Sequence, residues 1–193
     1  MSIAIVDYSV HEFNCLDDFV DALPKFDKIG GNGIATDTMM ELFRRHKVDH
    51  IFGLTLLHKH SILHDGERLT DIRGTSNPLT FPLGTPSIWK YNPDTHQLIP
   101  VEFSIDHDEV NWQDPGIQAF LADFAQVITT LEASQLLGLR RYPGDGYPGC
   151  IEFTTGRSNV NLTPEEAKDY LPSGGTREAA WFYTDDFMKR VGN

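Results

Sequence analysis

Between positions 114 and 137 the apolar residues fall at the repeat of an α-helix. Ile117, Phe120, Leu121, Phe124, Val127, Ile128 and Leu131 recur every three or four positions. Such a stripe covers one side of a helix and requires a partner surface to bury it. Asp114 precedes the stripe as an N-cap, and Pro115 fills the first turn, where a missing N–H does no harm. Gly138 follows as a stop signal. The spacing predicts a long central helix over about 115–137.

The surrounding chain reads as strands joined by turns. Residues 3–8, 50–60, 67–73 and 150–155 have strand character, and residues 180–183 form a last strand candidate. Residues 88–91 and 97–105, separated by Asn92-Pro93-Asp94-Thr95, read as a β-hairpin. Residues 77–86, rich in proline, read as an irregular connection. An early helix carries Leu16, Phe19, Val20 and Leu23, with Pro24 as its stop. Gly30-Gly31-Asn32-Gly33 lacks the spacing of a phosphate loop and reads as a flexible connector. Thr38 and Glu41 form a candidate capping box for a second helix, and Thr163-Pro164-Glu165-Glu166 opens a third. The expected fold class is α+β: a mostly antiparallel sheet with the long helix and shorter helices packed on it. At 193 residues, with no composition shift, the chain reads as one globular domain, 1–193.

Charge narrows the function classes. The 28 Asp and Glu outnumber the 16 Lys and Arg, leaving a formal charge of −12. From Tyr91 to Leu139 acids occur without a single Lys or Arg. Nucleic-acid binders and proteins held to anionic membranes cluster basic residues, so neither partner is expected. No apolar run is long enough to span a bilayer. Two cysteines, Cys15 and Cys150, and a first segment without a basic, apolar leader pattern point to a reducing, cytoplasmic setting.

The histidines carry the functional signal. Five of the eight lie in one stretch: His46, His50, His58, His60 and His64. In a strand, His58 and His60 share a face, with Cα atoms about 7 Å apart. Phe52, Leu54 and Leu56 continue that face backward, so an apolar stripe ends in two imidazoles. A second strand repeats the arrangement, since Val101, Phe103 and Ile105 lead to His107. If the two strands share a sheet, His58, His60 and His107 converge on one divalent transition metal such as Zn, Fe or Cu. His64 is an alternative third ligand, and Glu67 or Glu109 is the candidate fourth ligand or general base.

The order of these residues partly resembles the cupin family. Gly53, His58-Lys59-His60, Glu67, Gly74 and His107 with Asn111 follow the family's sequence of glycine, His-x-His, glutamate, glycine and a later histidine. The resemblance implies a β-barrel whose histidines and glutamate hold a metal. The chain departs from it in the wider gap between His60 and Glu67, the missing Pro-x-Gly before His107 and the central helix.

Two functions follow. The first is a small metal-dependent enzyme acting on an organic metabolite through a His-rich site at strand ends, by oxygenase, lyase, isomerase or hydrolase chemistry. The second is a non-catalytic acidic module that binds a protein partner or small ligand. Self-association into a homo-oligomer stays open under both.

Overall fold

The structure, a computed structural model, describes residues 2–171 and 176–185. Ten strands form one sheet: β1 (Ala4–Ile5), β2 (Phe52–Leu56), β3 (Arg68–Ile72), β4 (Thr75–Leu79), β5 (Thr85–Asn92), β6 (Gln97–Ser104), β7 (Leu137–Arg141), β8 (Ile151–Thr155), β9 (Ser158–Leu162) and β10 (Ala180–Trp181). Their order is β10-β2-β7-β5-β6-β3-β4-β9-β8, with β1 on β6. Both β1 and β3 run parallel to β6, so the sheet is mixed. It is also strongly curled. Arg140 of β7 lies 3.7 Å from Glu152 of β8, although β8 is the far edge of the order.

The helical elements are short: α1 (Val10–Asn14), α2 (Phe19–Lys28), α3 (Gly31–Gly33), α4 (Met40–His46), α5 (Pro115–Thr130) and α6 (Pro164–Ala167). A π-helical segment, Ile34–Met39, joins α3 to α4. Among the described residues no helix is long and apolar enough to cross a membrane.

This architecture corrects the expected fold class. An α+β fold organised around a long central helix over 115–137 is replaced by a mixed, curled half-barrel sheet with short helices. The cap was legible: Asp114 accepts from the N–H groups of Gly116 at 2.7 Å and Ile117 at 3.1 Å. The end was not. Glu132 adopts a left-handed φ of 54°, its N–H reaches the Thr129 carbonyl, and the Ala133 N–H reaches that of Ile128. That bond pair is a Schellman stop, here without the usual glycine. Ala133, Leu136 and Leu137 are nevertheless buried in the core, which is why the apolar pattern runs past the helix. Gly138 is a strand residue; a Cβ there would stand 2.4 Å from the Trp89 carbonyl oxygen.

Other local expectations shift for similar reasons. The helix expected to stop at Pro24 runs through it to Lys28, because Ala22 and Phe26 on the same helix are fully buried. Their burial outweighs the roughly 3 kcal/mol that an interior proline costs. Gly31, read as part of a flexible connector, begins a helical run, and glycine is required there because a Cβ would stand 2.2 Å from the Phe26 ring. The stretch 77–86, read as irregular, contributes to β4 and β5.

The larger core packs α2, α4 and α5 against β2, β5 and β7. At its centre Phe52 stacks on Phe120 and Trp112, at centroid distances of 5.9 and 5.8 Å. A smaller core gathers Phe13, Leu16, Leu57, Leu63, Leu69, Ile88 and Val101. β2 is buried along its whole length, and the residues that follow it enter a cavity at the sheet's open seam.

Candidate metal centre

His58 and His60 lie just beyond β2, in a segment held from both sides. The Leu57 N–H donates to the Leu136 carbonyl at 2.7 Å, and the Lys59 N–H donates to that of Asp17 at 2.9 Å. Lys59 also donates its ammonium to the Leu16 carbonyl. With Leu57 and Lys59 pinned, the alternation of the strand continues and both imidazoles face the cavity.

Each imidazole is oriented by its Nδ1. His58 Nδ1 is 2.9 Å from the Leu56 carbonyl, an acceptor only, so this nitrogen carries the proton and Nε2 is left with a free lone pair. His60 Nδ1 is 2.9 Å from Thr154 Oγ1. The two Nε2 atoms then face one carboxylate oxygen, Glu152 Oε2, at 3.6 Å from His58 and 3.5 Å from His60. The rings meet edge to face with centroids 4.7 Å apart.

Those separations are longer than hydrogen bonds, and they suit a shared ion. Two ligand atoms each about 2.1 Å from a zinc-like ion, at the tetrahedral angle, stand about 3.4 Å apart. Among the described residues, His58, His60 and Glu152 form the group of His, Cys, Asp and Glu side chains able to hold a metal ion, with ligand atoms within 4.8 Å of one another.

Electrostatics favour the ligand form of the carboxylate, whereas an ion ligated by His58 must displace a proton from its ring. Burial works against the Glu152 carboxylate, but the attraction of the His58 and His60 imidazoles and the charge of Arg140 hold it well below the usual range. Arg140 approaches the other oxygen, Glu152 Oε1, at 3.7 Å. Burial also works against a charged His58, and contact with Glu152 and the Leu56 carbonyl outweighs it, moving the ring upward. Glu102 of β6 lines the same cavity; burial and the Glu152 charge push its carboxyl up. Burial likewise raises Tyr147 and Cys150 in the cavity wall.

The cavity holds about 770 Å³, within the range of small-molecule sites. Leu16, Phe19, Ile88, Val101, Phe153 and Phe182 supply apolar wall alongside the charged groups.

The remaining candidates lie elsewhere. His107 lies outside the ligand group and outside the lining of its cavity. Beyond Ser104 the alternation also ends, with the Asp106 N–H turning back to Ser104 Oγ at 3.1 Å. Burial and the charges of Arg141 and Arg140 lower the His107 ring. His64 is exposed and donates its N–H to Glu67 Oε2 at 2.7 Å. Glu67 pairs with Arg157 at 3.1 Å through Oε1, and through a closer contact at Oε2. Glu109 borders a separate cleft of about 440 Å³ with His46, His50 and Arg141. Gly53 is glycine because a Cβ would stand 2.4 Å from the Phe182 ring.

Sequence reasoning passed over Glu152, Glu102 and Arg140. All three share a readable signal: a charged residue inside an apolar strand, as in Ile151-Glu152-Phe153, Val101-Glu102-Phe103 and Leu139-Arg140. No protein-family model, curated protein or solved structure matches the chain.

Proposed function

We propose that the protein is a small metal-dependent enzyme acting on an organic metabolite held in the cavity of the curled sheet. The observation that carries this reading is the convergence of His58 Nε2, His60 Nε2 and Glu152 Oε2 at an apolar cavity wall. Two histidines and one carboxylate leave coordination positions open, as catalytic sites of Zn and non-haem Fe do. His58, His60 and Glu152 are the ligands in this account, and the metal is Zn, Fe or Cu. A bound ion supplies Lewis acidity and an activated water, or redox chemistry if it is iron or copper.

The chain's own groups divide the remaining work. Arg140 faces the second oxygen of Glu152 at 3.7 Å and keeps that carboxylate charged. Glu102, a cavity-lining carboxyl that burial and the Glu152 charge push up, is the acid–base group. The apolar walls exclude water and fit the carbon skeleton of a metabolite. The free Cys15 and Cys150 fit a reducing, cytoplasmic setting.

The test is to incubate metal-loaded protein, metal-stripped protein and a Glu102→Gln variant with a mixture of small metabolites and to follow each by mass spectrometry. The expected result is metal-dependent consumption of a component, slowed about 100-fold or more by Glu102→Gln. Loaded protein that consumes nothing contradicts the enzyme reading and leaves the acidic binding module in its place.

A further inference from the structure

Arg140 carries charge that the ligand group does not use up. Glu152 points Oε2 toward the imidazoles and Oε1 toward Arg140 Nη1, at 3.7 Å, beyond hydrogen-bond range. Among the described residues the Arg140 guanidinium makes this ion pair and no hydrogen bond. Its side chain is 23 % exposed, in the cavity wall. Five N–H donors in a planar fork, beside a greasy enclosure, are suited to a planar anion with two oxygens.

The charge balance points the same way. A divalent ion, Arg140 and Arg177 face Glu152, Glu102 and Glu178, and the sum stays positive even with all three carboxyls ionised. A neutral ligand would leave that positive charge unpaired in an apolar enclosure, which is unfavourable. The apolar walls in turn require a carbon skeleton.

From this we infer that the cavity takes monocarboxylates with an apolar body, the carboxylate lying between the metal's open positions and the Arg140 guanidinium. The inference rests on the metal reading and extends it to a ligand class. Arg140 is then a specificity-determining residue that selects for the anion.

The test uses the full chain loaded with Co(II), whose visible absorption reports changes at the ion. Hexanoate and hexanol are titrated against the parent and against Arg140→Gln and Arg140→Lys, with calorimetry as a second readout. Hexanoate is expected to perturb the cobalt spectrum and to bind about tenfold or more tighter than hexanol, as a charge-assisted contact implies. Compared at saturating cobalt, Arg140→Gln is expected to remove that preference and Arg140→Lys to retain part of it. Equal binding of hexanoate and hexanol by the cobalt-loaded parent overturns the inference while leaving the metal site intact. This comparison needs no variant to fold. An unchanged hexanoate affinity in Arg140→Gln overturns the role of Arg140. Failure of the parent to take up cobalt overturns the metal reading and this inference together.

Discussion

His58 and Glu152 stand near opposite ends of the strand order, yet His58 Nε2 and Glu152 Oε2 are 3.6 Å apart. Only the curl of the sheet brings them together. Side chains therefore bridge the seam between the end of β2 and the edge strand β8: His58 and His60 to Glu152, and His60 to Thr154. A metal bound there would join two parts of the sheet that no backbone ladder connects among the described residues.

Stabilisation by metal follows from that placement. An ion that binds the folded chain alone adds about 4 kcal/mol at a free concentration a thousandfold above its Kd. For a chain of this size that raises Tm by roughly 8–16 °C. The shift is expected in thermal melts of the parent with Zn(II) and is expected to vanish in Glu152→Ala. A Glu152→Ala variant that keeps the shift would place the ion elsewhere.

How far the site was legible depends on where its parts lie in the chain. His58 and His60 share a face because strand alternation is local, and Lys59 between them is pinned by the Asp17 carbonyl. The local pattern Ile151-Glu152-Phe153 marks Glu152 as a charged residue in an apolar strand, but its meeting with His58 arises from the closing of a curled sheet. The third ligand was sought at His107 because its strand repeats the same apolar stripe, but periodicity does not say which strands the curl brings together. The helix start was legible in Asp114-Pro115, whereas its end depends on Glu132 taking a left-handed conformation that side-chain type does not announce.

Glu67 has a structural role that pH exposes. The guanidinium of Arg157 and the His64 N–H hold its carboxyl at about 2. The unfolded value is about 4.3, so the contribution is fully present above that pH and is lost as pH falls toward about 2. Glu67→Gln is expected to lower Tm by no more than about 4 °C at neutral pH, because the Arg157 end is 41 % exposed and well screened. The gap to the parent is expected to close between about pH 4 and pH 2. Metal content stays unchanged. Loss of metal in Glu67→Gln would make this carboxylate part of the centre.

Asp114 is the one side-chain cap on α5, accepting from two N–H groups of the first turn. Asp114→Ala is expected to cost about 1 kcal/mol, seen as a Tm lower by roughly 2–4 °C. An unchanged denaturation midpoint would show that tertiary packing of Ile117, Phe120 and Phe124 holds the first turn without the cap.

The most direct measurement is metal content by elemental mass spectrometry on tag-free protein, compared across three variants that remain folded by circular dichroism. The account predicts near one transition metal per chain in the parent, loss in His58→Ala/His60→Ala and in Glu152→Ala, and retention in His107→Ala. A parent that stays metal-free after incubation with Zn, Fe or Cu contradicts it, as does metal that survives the first two substitutions or disappears with the third.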